Sequence, residues 1–433
     1  MSGRRTLRPW LVLLAGLGLS LPMQAAAQTT VDFFHMTWIP DMIQTIDDAV
    51  EHFEQENPGI RIQQTRVSWT DAPAQLMTSI MGGAAPDIAQ ANTTMLAQFR
   101  AIGAYADVTD AIPAELRESF LPAALAVVQR PDGRIDGYPS EGATWAFFYR
   151  QDLFEEAGLE GPPETWDEFV DAALALTKDT TGDGAIDQFG FGHPVQAENA
   201  VEYWASWMQM AGSPVVRFED DRWVSDLDSP EALEGTQFMV DLVQEHGVMP
   251  ATIVDMDWED VTNGFIFGNF AMMWNGGWVV GVIQDRATEL EGQWAGFLPP
   301  AAEGREPVAR GFPTTFHVMQ AGRNQEAATQ FLNFFYSEGR GNGLTYADEL
   351  ALAANVFNWT DDYLEFAQET YAEELQPFVE AVEISVPLPM SPAWQQFAEL
   401  YARSAVQDML QGRRPVEETL QQLHERLNAL HAR

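Results

Sequence analysis

Apolar side chains along the first hundred residues switch between two spacings. Val31–Met36 reads as a short strand, and Ile60–Val67 alternates every second residue as another. Between them, Pro40–Glu56 carries Ile43, Ile46, Val50 and Phe53 at helical spacing, and Asn57-Pro58-Gly59 stops that helix. Ala72–Met81 predicts a helix ended by Gly82-Gly83, Asp87-Ile88-Ala89 a short strand, and Thr94–Ile102 a further helix. This β-α-β-α-β order implies an α/β fold with a largely parallel sheet covered by helices.

From Pro131 to Pro139 the pattern turns to Asp, Gly and Pro, and Trp145–Tyr149 follows as an aromatic-rich strand. Glu164–Leu176 predicts a helix with Thr165 as N-cap and Glu168 completing a capping box. Ala200–Met210, Glu231–His246 and Gln325–Tyr336 read as helices, and Phe270–Trp274 as a strand. The chain closes on helices at Ala393–Gln411 and, after Pro415, Val416–Leu430. No repeat of 20–50 residues is visible. Long linkers are absent, so two domains would be joined by several short crossings.

The N-terminus bears on compartment. Arg4, Arg5 and Arg8 precede an apolar run from Leu11 to Leu21; Pro22 breaks it and Ala25-Ala26-Ala27 offers small residues for cleavage. This is the layout of a signal peptide over residues 1–27, cleaved after Ala27, and it directs the chain to the periplasm. The run falls short of the roughly 20 residues of a membrane span. Arg4-Arg5 also touches on twin-arginine export, although the following residues fit that signal poorly. No later segment is apolar enough to span a bilayer, so a soluble mature chain of about 400 residues, enough for two domains, is expected.

The chain has no cysteine, which excludes disulfides, thiolate metal sites and a lipid-anchoring cysteine. Its 64 acidic residues outnumber 23 basic ones, giving a net charge of −41 that disfavours nucleic acid and anionic membranes as partners. Because the acids are spread along the chain, they read as adaptation to a salty medium rather than as a cation site.

Several stretches resemble, in order, the extracellular solute-binding proteins of carbohydrate ABC importers, the group that includes the maltose-binding proteins. They are Phe53-Glu54-Gln55-Glu56-Asn57-Pro58-Gly59-Ile60, Gly83-Ala84-Ala85-Pro86-Asp87-Ile88, Phe148-Tyr149-Arg150-Gln151-Asp152-Leu153-Phe154, Pro163-Glu164-Thr165-Trp166-Asp167-Glu168-Phe169 and Ala271-Met272-Met273-Trp274-Asn275-Gly276-Gly277-Trp278. Together they are specific to the superfamily and not to one sugar. The resemblance implies a two-lobed periplasmic-binding-protein fold of type II-like form, with a ligand cleft between hinged lobes. It also implies discontinuous lobes: 28–138 with 313–357, and 139–312 with 358–433. The implied partners are a sugar or polyol and the permease of an ABC importer, with a monomeric chain and no cofactor.

Tryptophan usage suits that ligand class, because an indole covers the apolar CH face of a pyranose with a rigid surface. Trp278, after the Asn-Gly turn, matches the family's stacking position, and Trp394, before a late helix, matches another. Trp38 follows the first strand; Trp69, Trp204, Trp207 and Trp274 are further candidates, whereas Trp166 belongs to a helix-start motif. Hydroxyl-rich ligands also need directional partners. Gln90 and Asn92 follow the Asp87-Ile88 strand at the end where ligands gather in α/β sheets. Glu141 lies in a crossing, Asn275 and Gly276 permit close backbone approach, and Arg310 sits near another crossing, where it would suit an acidic sugar. For each of these polar residues a turn cap or surface role is the competing reading.

Asp179, Thr181, Asp183 and Asp187 are spaced like a calcium loop, but Gly190 stands where a bidentate Glu is expected, and a tight acidic turn is the plainer alternative. Gly-x-Ser-x-Gly, His-Glu-x-x-His and P-loop motifs are missing. A glycosidase, needing only two carboxylates, remains the rival class, and a chemoreceptor ligand-binding protein would share the fold. If the leader is cleaved as read, N-terminal sequencing of the exported protein begins at Gln28; a start within or before the apolar run would overturn the assignment.

Overall fold

The structure is a computed structural model that describes residues 28–36, 40–69, 71–120, 122–130, 132–196, 199–220, 222–337, 355–356, 376–389 and 391–432. Residues 1–27, read from the sequence as a signal peptide, and Trp38 lie outside the described residues. The strands are β1 (Thr29–Met36), β2 (Ile60–Val67), β3 (Ile88–Ala91), β4 (Tyr138–Arg150), β5 (Phe189–Gly192), β6 (Val216–Glu219) and β7 (Arg222–Ser225). After these come β8 (Phe270–Gly276), β9 (Trp294–Phe297), β10 (Ala309–Val318), β11 (Asn355–Val356) and β12 (Ser385–Pro387).

The apolar spacing of Pro40–Glu56 does what it predicts. Ile46, Val50 and Phe53 are buried against β1, and the Phe53 ring meets Phe331 of the helix Gln325–Ser337 edge-on at 5.2 Å. β1 pairs in parallel with β2 and with β3. In the second half β5 and β8 are parallel neighbours. The main sheet runs β2-β1-β3-β10-β4-β8-β5.

Among the described residues, two long antiparallel strands carry the chain from one half to the other. β10 pairs with β3 through Thr315–Val318 and with β4 through Arg310–Phe316, with an irregularity between Pro313 and Thr315. β4 pairs with β10 up to Trp145, then with β8 and β9 from Trp145 to Arg150. Buried side chains separate accordingly. Val31, Phe33, Phe53, Tyr138, Phe316 and Phe331 share one cluster, and a smaller one gathers around Leu96, Phe99 and Tyr105. Phe147, Phe191, Trp207, Trp274, Val406 and Leu427 share another. The α/β architecture with two lobes is as the sequence reading expects.

The sequence pattern under-reads β4 and misses β10 because Pro139, Gly142, Gly311 and Pro313 interrupt the apolar runs there. The expected helix Ala393–Gln411 is instead an α-helical turn at Trp394–Phe397, a π-helical turn at Ala398–Ala402 and a helix at Arg403–Leu410. No helix among the described residues is long and apolar enough to cross a membrane.

The capping box forms as read: Thr165 Oγ1 accepts from the Glu168 amide at 3.3 Å, and the Thr165 amide donates to Glu168 Oε2 at 3.3 Å. It starts the helix Trp166–Leu176, whose Trp166 ring stacks on Phe238 at 3.9 Å in the core. Thr165→Ala therefore lowers stability by about 1 kcal/mol, read as a reduced urea midpoint with an unchanged m-value.

Candidate functional site

In α/β sheets the carboxyl ends of parallel strands leave backbone groups and loops open to a ligand. Here the carboxyl ends of β1 and β3 (Met36, Ala91) and of β8 (Gly276) lie along the two crossing strands. Thr315 of β10 is opposite Ala91, and Trp145 of β4 is opposite both Arg310 of β10 and Gly276 of β8. Five residues of β10 separate these two levels, about 16 Å at the rise of a strand.

The level of Arg310, Trp145 and Gly276 holds an aromatic group. The Arg310 guanidinium lies over the Trp145 ring, 3.9 Å from its centroid, and 5.2 Å from that of Tyr203. Its Nη2 donates to Glu202 of the helix Asn199–Met210. Trp145 Nε1 donates to the Tyr203 hydroxyl at 3.0 Å, which donates to the Trp274 carbonyl at 3.1 Å. Trp278 meets Trp145 edge-on at 4.8 Å and Trp258 at 6.5 Å. The Trp278 ring also covers Gly276, where an added Cβ would fall 1.8 Å from it, so only glycine fits beneath the indole. Trp145 and Arg310 are buried, whereas Trp278 is half-exposed. Trp278 is thus an indole on a rigid aromatic base with part of its surface open.

The structure corrects several candidates. Trp204 is fully buried and its Nε1 donates to Thr236 Oγ1 at 2.8 Å, so it is core: one residue along a helix rotates about 100° away from Tyr203. Asn275 is buried and its amide donates to the Trp258 carbonyl and Thr262 Oγ1, both at 3.1 Å, while its Oδ1 accepts from the Gly276 amide. It ties β8 to the helix Trp258–Ile266 and turns no polar group outward. Gln90 is buried with Oε1 on the Met36 amide at 2.9 Å, joining the ends of β3 and β1. Trp394 is 1% exposed and packs on Phe397. Arg310 carries its charge against Glu202, which removes the reason for reading it as a receptor for an acidic sugar.

Asn92 caps the helix Thr93–Ala101, with Oδ1 accepting from the Met95 amide at 2.9 Å, and is half-buried at the end of β3. The backbone of Glu141 lies in β4, and its side chain is outside the described set. Sequence reasoning passed over Trp145, Glu202, Tyr203 and Trp258. An aromatic strand signalled Trp145 without revealing which side it faces.

The acidic stretch closes on itself. Asp179 accepts from the amides of Thr181, Gly182 and Gly184, Asp183 from that of Ala185, and Asp187 from the amide and hydroxyl of Thr180. These bonds lower the Asp179 and Asp187 carboxyls below their usual range, with the Gly184 and Thr180 amides the leading causes. The carboxylates point at their own turn, and among the described residues no His, Asp or Glu group is arranged to hold a metal.

Two buried histidines flank the crossings. His193 stacks on Tyr203 at 4.8 Å, accepts at Nε2 from Trp207 Nε1 at 3.3 Å, and places Nδ1 3.1 Å from the Pro194 carbonyl. A second proton would set Nε2–H against the indole N–H, so the ring is neutral. His317 stacks on Tyr105 at 3.7 Å and spans the Asp136 carbonyl and the Thr315 hydroxyl. Burial takes both imidazoles down to about 4.

A family model described as bacterial extracellular solute-binding protein matches residues 39–340. A binding protein of Brucella abortus (strain 2308) is 25% identical over 367 residues, 85% of each chain. An ABC substrate-binding protein from Listeria monocytogenes, solved with cycloalternan, superposes with a TM-score of 0.78 at 21% identity, covering 93% of this chain and 98% of that one. Maltose-bound MalE3 of T. maritima gives 0.76 at 20% identity over 93% and 100%.

Because both imidazoles stay neutral when folded, the unfolded chain takes up protons below pH 6.5 that the folded chain refuses. Stability is therefore full above 6.5 and falls toward pH 4, approaching about 1.4 kcal/mol per pH unit for each histidine. Urea unfolding between pH 6.5 and 5, above the carboxylate range, reads this slope; a flat profile there would contradict neutral imidazoles.

Proposed function

Because the chain belongs to the bacterial extracellular solute-binding proteins, we propose that it captures a sugar or sugar-like solute between two lobes and delivers it to the permease of an ABC importer. The lobes are residues 28–138 with 313–357, and 139–312 with 358–433. The separation of the buried clusters and the passage of β4 and β10 between them support those limits. The protein works in the periplasm, reached through its cleaved leader, as a monomer and by binding rather than turnover.

The observation that carries the reading is Trp278. A half-exposed indole braced by Trp145 and Trp258 at the carboxyl end of β8 is a platform for the CH face of a pyranose. Hydroxyls of the ligand meet polar groups of the backbone and loops at the ends of β1 and β3. Solute held to both levels favours the closed arrangement by differential affinity, with the bend taken up in β4 and β10 around residues 141–144 and 311–314. The bound solutes of the Listeria and T. maritima neighbours are carbohydrates, which supports the class without fixing the member.

A thermal-shift screen against mono- and oligosaccharides and polyols tests this. A ligand at a hundred times its Kd adds about 2.7 kcal/mol of stability and raises Tm. Trp278→Ala weakens that ligand about tenfold or more in calorimetric titration while leaving the unliganded Tm near that of the parent. Unchanged affinity in the variant, or release of product from a glycoside by the purified protein, would overturn the proposal.

A further inference from the structure

Resting on that reading, we infer that Glu202 is a specificity-determining residue: by holding the charge of Arg310 it makes the cleft take a neutral polyhydroxylated solute and reject anionic sugars. A guanidinium is the natural receptor for the carboxylate of a sugar acid or the phosphate of a sugar phosphate, since its paired N–H donors match two oxygens. Arg310 stands at the level of the aromatic platform, directly opposite Trp145 across the β10–β4 ladder. Its side chain has no exposed surface, and Glu202, with 18% of its side chain exposed, supplies the partner. The guanidinium face is covered by the Trp145 ring at 3.9 Å.

This arrangement has a consequence for ligand charge. A buried guanidinium needs a counter-charge, and in the protein that charge is already present. An anionic solute held on the aromatic platform would bring a second carboxylate or phosphate toward the exposed part of Glu202, with Arg310 buried beneath it and already paired, in a setting where repulsion is screened less than in water. A neutral sugar adds no charge and leaves the pair intact. Glu202 therefore gives stability to Arg310 and selectivity to the site at once, the second by unfavourable contact with the wrong ligand. The rest of the acidic surface acts only at long range and is screened by salt.

The test is calorimetric titration of glucose and maltose against glucuronate and glucose 6-phosphate at fixed salt. The parent protein binds a neutral sugar and takes the anionic ones about tenfold more weakly or worse. Glu202→Gln keeps the shape and a hydrogen bond but removes the charge, and it narrows or reverses that ratio by about tenfold. Glu202→Asp keeps the charge and the discrimination. Adding Arg310→Met to Glu202→Gln abolishes the gain for anions. Glu118→Gln, an exposed acid elsewhere, leaves the ratio as in the parent. Should Glu202→Gln fail to fold, the parent's own ratio and that of Glu202→Asp still decide. Equal affinity of the parent for neutral and anionic sugars overturns the inference while the solute-binding reading stands; binding of none of these or any other carbohydrate overturns both.

Discussion

The backbone pairing of β4 is the constraint on which the rest depends. This one strand pairs with β10 up to Trp145, and from Trp145 onward it lies between β8 and β9. Trp145 is where it changes neighbours, so its position is set by ladders on both sides. Because the cores on either side share the strand but not their buried clusters, the two halves are joined by hydrogen-bonded backbone rather than by a common apolar interior. Among the described residues, the shared backbone between the two clusters is that of β4 and β10, with β11 paired to β4 at Gly142 and Ala143. The irregularity between Pro313 and Thr315 interrupts the β10–β4 ladder in the stretch between the two clusters.

A buried cation is the second constraint. Arg310 has aromatic faces on Trp145 and Tyr203 and a carboxylate in Glu202. A cation–π contact contributes about 0.5–2 kcal/mol. Removing one member of a buried ion pair costs about 3–5 kcal/mol. The carboxylate, rather than the ring, thus decides whether the guanidinium is tolerated. The indole N–H of Trp145, the Tyr203 hydroxyl and the Trp274 carbonyl complete a chain that leaves the aromatic base little freedom. A rigid base holds the Trp278 ring in place, so in the proposed role little side-chain entropy would be lost on binding.

The polar candidates show how a fold absorbs residues that look available. Asn275 and Gln90 hold strand ends to neighbouring backbone, and Asn92 starts a helix. Each sits at the carboxyl end of a strand, where ligands also gather, so position alone cannot separate the two roles. The number of hydrogen bonds each already makes inside the protein does separate them. The acidic turn at Asp179–Asp187 follows the same logic, since its carboxylates bond backbone amides of their own loop.

Short-range pattern was legible. The helices Pro40–Glu56 and Ala72–Met81 and the strand Ile60–Val67 coincide with their predicted limits, because period and end signals lie within each segment. Thr165 and Glu168 announced their cap for the same reason. The ordered motifs carried the family and the two-lobed α/β architecture. What only the tertiary structure decided was which side chains share a place: Trp204 and Trp394 in the core, Glu202 on Arg310, Trp145 beneath Trp278. Those partners are distant in sequence, 108 residues apart for Arg310 and Glu202. Strand register and helix rotation bring them together, and neither leaves a periodic trace in the chain.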